Sequence, residues 1–98
     1  MAEVVFNLAV FGANPGSNVC IVLMQSCGHM KAVVSEADAR TAPQAELDGF
    51  RKALEALTMP CNVTLRTHSQ CLLSRVEKMD VRPHRVTGVY VPKERRNG

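Results

Sequence analysis

The chain has 98 residues, 46% of them hydrophobic, which is enough for one small core and too apolar for wholesale disorder. Aromatics are only 4% and tryptophan is absent, so the core is expected to be mostly Val, Leu, Ala and Met. The net charge of +3 is uneven: residues 1–65 carry four Lys/Arg against six Asp/Glu, and residues 66–98 carry eight against three, an asymmetry that points to a polyanionic partner.

Residues 3–10, EVVFNLAV, read as a buried strand rich in β-branched and large apolar types. GANPGSN then punctuates the chain as a turn. Residues 19–25, VCIVLMQ, form a second strand of nearly continuous apolar character, and CGHM is a tight connection in which Gly28 takes positive φ. A third strand over 30–36 completes an antiparallel meander. The polar segment EADARTAP leads to a helix over 43–57, with Thr41 as N-cap and Pro43 in an early position. Leu47, Phe50, Leu54 and Leu57 recur at spacings of three and four, a stripe facing a sheet, and Pro60 ends the segment.

Residues 61–67, CNVTLRT, alternate cleanly, with Val63 and Leu65 on one face and Thr64 and Arg66 on the other. A strand after a helix implies a parallel pair with a right-handed crossover. A second helix over 69–79 carries Leu72, Leu73, Val76 and Met79, with Ser69 as its cap, and a last strand spans 85–91. The order βββαβαβ predicts an α/β (α+β) domain with a mixed five-stranded sheet and two helices over residues 1–92, followed by a basic tail at 93–98.

The four cysteines, at 20, 27, 61 and 71, have no CxxC spacing and are expected to be free, mostly buried thiols of a reducing cytoplasm. Cys27 and His29 offer two zinc ligands where a structural site needs four, so no metal or cofactor is expected. No apolar run reaches the ~20 residues of a membrane span. The first residues hold an acid and no basic cluster, so a secretory leader is not expected either.

Three motifs stand in sequence order. FNLAVFGANPG at 6–16 ends in Asn14-Pro15-Gly16, TAPQAELDGFRKALEAL at 41–57 contains Glu46-Leu47, and LRTHSQ at 65–70 closes the fourth strand. Across residues 4–75 these resemble the TDGSxxxNPG, TNNxxELxAxxxAL and TDSQ motifs of type 1 ribonuclease H. The resemblance implies a ribonuclease H-like fold. It also implies a chemistry in which two Mg²⁺ ions, held by four carboxylates, cleave the RNA strand of hybrids.

Carried over one position at a time, Leu8 stands at the first-strand Asp, Glu46 keeps the helix Glu, and His68 replaces the fourth-strand Asp. The fourth carboxylate belongs to a helix after the final strand, and the sequence ends before it. One of four remains, so the chain is expected to be catalytically inactive, with Leu8, Glu46 and His68 as degenerate positions. Leu8 in place of a buried acid should let the centre pack, and fewer mutually repelling acids should stabilise it.

The expected role is therefore binding. A nucleic acid would meet Asn14, Arg75, Lys78, Arg82, Arg85, Lys93, Arg95 and Arg96. Against this, Tyr90 is the sole tyrosine, and single-strand binders use several stacking rings. Plainer roles exist for each feature: a β-turn for Asn14-Pro15-Gly16, a solubilising face for the basic residues, and a dipole-favoured early-helix acid for Glu46. Glu46 could also pair with His68. The alternative is a protein partner bound through exposed sheet surface, as in accessory proteins of phages, plasmids or mobile elements. The resemblance leaves part of the sheet uncovered, so a homodimer is expected. A residual metal-dependent nuclease is the third possibility.

Overall fold

The computed structural model describes residues 1–14, 17–39 and 42–92, with side chains for 1–11, 18–35 and 42–92. Its elements follow the expected order: β1 (Ala2–Asn14), β2 (Ser17–Ser26), β3 (His29–Ala39), α1 (Ala42–Glu55), β4 (Cys61–Thr67), α2 (Gln70–Glu77) and β5 (Arg85–Tyr90). The fold is α+β, with one five-stranded mixed sheet in the order β3-β2-β1-β4-β5. β1–β2 and β2–β3 pair antiparallel, while β1–β4 and β4–β5 pair parallel.

Strand lengths depart from the local pattern in two places: β1 continues to Asn14 and β2 begins at Ser17, so the ladder takes in most of the expected GANPGSN turn, and β3 is extended as well. β3 runs on to Ala39, through residues whose polarity suggests a linker from 36 onward. Its backbone stays paired with β2 across a bulge, Asn18 opposite Ala39, so ladder hydrogen bonds override side-chain polarity there. Thr41, the expected N-cap of α1, lies outside the described residues.

The β2–β3 hairpin closes with Ser26 opposite His29, leaving a two-residue loop. Gly28 has φ of 81°, as expected, and Cys27 also takes a positive φ of 48°. Two successive left-handed residues give the turn whose twist matches that of the strands it joins.

The core follows from alternation. Val4, Phe6 and Leu8 of β1, Cys20, Val22 and Met24 of β2, and Cys61, Val63 and Leu65 of β4 form one buried cluster with residues of both helices. The Phe6 and Phe50 rings meet edge to face at 6.1 Å.

The buried stripe of α1 keeps Phe50 from the expected stripe of Leu47, Phe50, Leu54 and Leu57, but is otherwise made of smaller residues and Glu46. Ala45, Glu46, Gly49, Phe50 and Ala53 are buried, whereas Leu47, Leu54 and Leu57 are half-buried. The cause is close approach: a Cβ on Gly49 would collide with the Cys20 side chain. Small residues at every fourth position set the helix down on β2, and the leucines flank the contact.

Both helices cover the same sheet face. The opposite face carries no described helix, and Phe11, Leu23, Met30, Val34 and Val89 are exposed on it. β1 and β2, nearly continuous in apolar character, are thus buried on one side only within the described chain.

Candidate functional site

β4 stops at Thr67, whereas β1 continues to Asn14. The last parallel pair between them is Asn7 with Arg66, so from Leu8 onward β1 loses its β4 neighbour. A cleft of about 1020 Å³ opens there, at the C-terminal ends of two parallel strands, and its walls include Leu8, Val10, Glu46, His68, Ser69 and Pro92. Such strand ends are where ligands gather in open α/β sheets. The three degenerate positions named above are thereby brought to one cleft.

Leu8 is 4% exposed and belongs to the packed core, so it closes the cleft floor with hydrocarbon. Glu46 is buried in the first half of α1. Its carboxylate lies close enough to Cys20 to act on that thiol. Burial first, then Glu46 and Asp48, push the Cys20 thiol up to about 12.

His68 sits just past β4, where its Nδ1 is hydrogen-bonded to the Val91 carbonyl. A carbonyl oxygen only accepts, so Nδ1 carries the proton and Nε2 is the ring's remaining polar atom. Val91 is held in turn, because its N–H donates to the Thr67 carbonyl at 2.9 Å.

Ser69 behaves as a cap. Its Oγ accepts from the Leu72 N–H at 3.2 Å, and its own N–H donates to Thr67 Oγ1 at 3.1 Å. Asp48 is engaged away from the cleft, accepting a hydrogen bond from Ser35 Oγ and lying 3.6 Å from Lys52 Nζ. Among the described residues, no three His, Cys, Asp or Glu side chains converge as a metal cage would require. The described titratable groups lining the cleft are one carboxylate and one imidazole.

The basic residues divide between two regions. Arg75 and Lys78 are exposed on α2 and at its C-cap, and Arg85 is exposed at the start of β5. Arg82 holds Asp80 through two contacts of 3.0 Å, and this pairing lowers the Asp80 carboxyl to about 2. Lys78, Asp80 and Arg82 line a groove with His84, whose Nδ1 accepts the Cys61 N–H at 3.1 Å at the start of β4. That groove is a strand length, about 20 Å, from His68. Asn14 is described by its backbone alone, and Lys93, Arg95 and Arg96 lie outside the described residues.

Three further residues join the site only through the fold. Arg66 is exposed on the open sheet face beside Asn7, its register partner on β1. With Phe11 and His68 they line a second groove, of about 420 Å³. The alternation of β4 marks Arg66 as outward-facing, but its meeting with Asn7 depends on β1–β4 register, which no local pattern encodes. Comparison of the sequence with protein-family models and with curated proteins gives no match.

Proposed function

We propose that this chain is a ribonuclease H-like domain without hydrolytic activity, acting in the cytoplasm as a homodimeric module that binds nucleic acid, RNA or DNA. The observation that carries this is the cleft, where Leu8, Glu46 and His68 stand together at positions the resemblance gives to acids. Two hard divalent ions a few Å apart need clustered anionic oxygens. One buried carboxylate does not supply them, and imidazole is a poor ligand for Mg²⁺. Fewer acids also mean less repulsion of an approaching phosphate.

Arg66 and Arg85 add positive charge on the open face of β4 and β5, and Arg75 and Lys78 add it on the α2 side of the same edge. Arg82 contributes less, since Asp80 already holds its guanidinium. Asn14, Lys93, Arg95 and Arg96 complete the proposed contact set. A second function, docking of a protein partner, is favoured by the exposed apolar residues of the open face, and would suit an accessory protein of a phage, plasmid or mobile element.

Purified protein incubated with an RNA–DNA hybrid and Mg²⁺ or Mn²⁺ is expected to give no cleavage above a Glu46→Gln control. Fluorescence anisotropy with hybrid, duplex and single-stranded probes should show binding that weakens steeply with salt. Cleavage dependent on Glu46 would overturn the inactive assignment, and no binding at low salt would leave the protein-partner function standing alone.

A further inference from the structure

The open face of the sheet has a composition that its exposure does not explain. Strands buried on both faces read as near-continuous apolar runs, and strands with one wet face alternate with polar residues. β1 and β2 have the first composition and, within the described chain, the second environment. The register places Ile21 between Ala9 and Val34, and Leu23 between Asn7 and Ala32, in rows across three strands. Phe11 is 57% exposed, Met30 63% and Leu23 38%.

Charge is segregated on this face. Apart from Glu3 at the start of β1, the described side chains of β1, β2 and β3 on this face carry no charge. The exposed arginines, Arg66 and Arg85, belong to β4 and β5. The face is therefore an apolar three-strand panel beside a basic two-strand panel.

We infer that the apolar panel β3-β2-β1 is the seat of a second copy of this chain, packed sheet on sheet about a two-fold axis running along β2. That axis reverses strand order across the interface, placing β1 over the second copy's β3 and β2 over β2. The two basic panels then project at opposite edges of the pair and do not face each other. An axis at right angles to the strands would set arginines against arginines. One patch used twice satisfies both chains, as a two-fold interface requires.

The area suffices. Three strands ~4.8 Å apart and about seven residues long, with side-chain relief, present on the order of 500 Å² per chain. Two copies remove about 1,000 Å², the lower limit for a biological interface and the range of weak, reversible pairs, which the concentration series below is chosen to resolve. The pair forms four layers, helices outside and two sheets about 10 Å apart within. This deepens the homodimeric part of the proposed function and does not depend on nucleic acid being bound.

The test is sedimentation equilibrium over micromolar to hundred-micromolar concentrations, on wild type and on Leu23→Lys and Met30→Lys. Wild type is expected at twice the 10.7 kDa chain mass. Each variant should shift toward the single-chain mass while keeping its circular dichroism spectrum. Met30, the more exposed of the two, guards against a folding defect. A wild type that stays at the single-chain mass would overturn the proposal, as would a dimer that survives both substitutions. Dissociation of the wild-type dimer by an equimolar oligonucleotide would also overturn it, since nucleic acid would then be the occupant. Anisotropy separates the two functions: binding retained by the Leu23→Lys chain without a dimer upholds the nucleic-acid part, and a wild-type dimer without binding upholds the interface alone.

Discussion

The Cys20 thiol couples the interior beneath α1 to alkaline pH. Its ordinary value of 9.0 is raised to about 12 in the folded chain, by burial first and then by Glu46 and Asp48. Between those values the unfolded chain has lost a proton that the folded chain keeps. The stabilisation is complete below pH 9 and is lost as pH rises toward 12, with a slope of roughly 1.4 kcal/mol per pH unit for one proton. Urea midpoints measured from pH 8 to 11 should therefore fall above pH 9. A Cys20→Ala variant should start less stable by about 1 kcal/mol for the volume removed, and should lack that part of the slope. Spacing alone marks the cysteines as unpaired thiols, and all four are free. That Cys20 and Cys61 are buried while Cys27 and Cys71 are exposed follows from strand parity and turn position, which spacing does not carry.

Among the elements, those whose pattern and packing agree were the legible ones. β4 alternates in sequence and in burial, and it spans the expected residues 61–67. The β2–β3 turn forms at the Cys-Gly pair, where a glycine is available for a left-handed backbone. α1 is present within two residues of its expected ends, and Phe50 of its expected stripe is fully buried with the leucines packed beside it, but the closest contact is made by small residues, which a hydrophobic pattern does not mark. Gly49 measures this. Alanine there would gain about 1 kcal/mol of helix propensity and lose about 1–3 kcal/mol to overpacking against Cys20. Gly49→Ala is expected to lower the thermal midpoint by several degrees, whereas the same kind of change on an exposed face of α1, Arg51→Ala, should leave it nearly unchanged.

For the molecule as a whole, the element order, the antiparallel meander and the presence of parallel pairing were legible, because a strand–helix–strand succession leaves few topologies, whereas the place of β4 beside β1 was not. Nor was the distribution of charge in space. Sequence groups Arg75, Lys78, Arg82 and Arg85 into one basic half. The fold gives Arg82 to Asp80, sets Arg75 and Lys78 on the helix side, and adds Arg66 and Arg85 on the other. If nucleic acid follows this edge, Arg75→Ala and Lys78→Ala should each weaken duplex binding at all sequences and reduce the slope of log K against log salt by about 1. Arg82→Ala should change that slope less. Anisotropy titrations at three or more salt concentrations would separate the variants.

The parallel pairing of β1 with β4 has a consequence for how the chain acquires its shape. Ala2 pairs with Cys61, whereas the β1–β2 and β2–β3 ladders close within the first 39 residues. The meander rests on local contacts, whereas joining β4 and β5 to it carries the entropic cost of the longest loop in the sheet. Until then the β1 edge that will receive β4 stands with its backbone groups unpaired, in a chain emerging from synthesis with its most apolar strands already in place. α1, seated on β2 through Ala45, Gly49 and Ala53, fills the connection from β3 to β4, so an ordered helix shortens the free loop that this closure has to bridge.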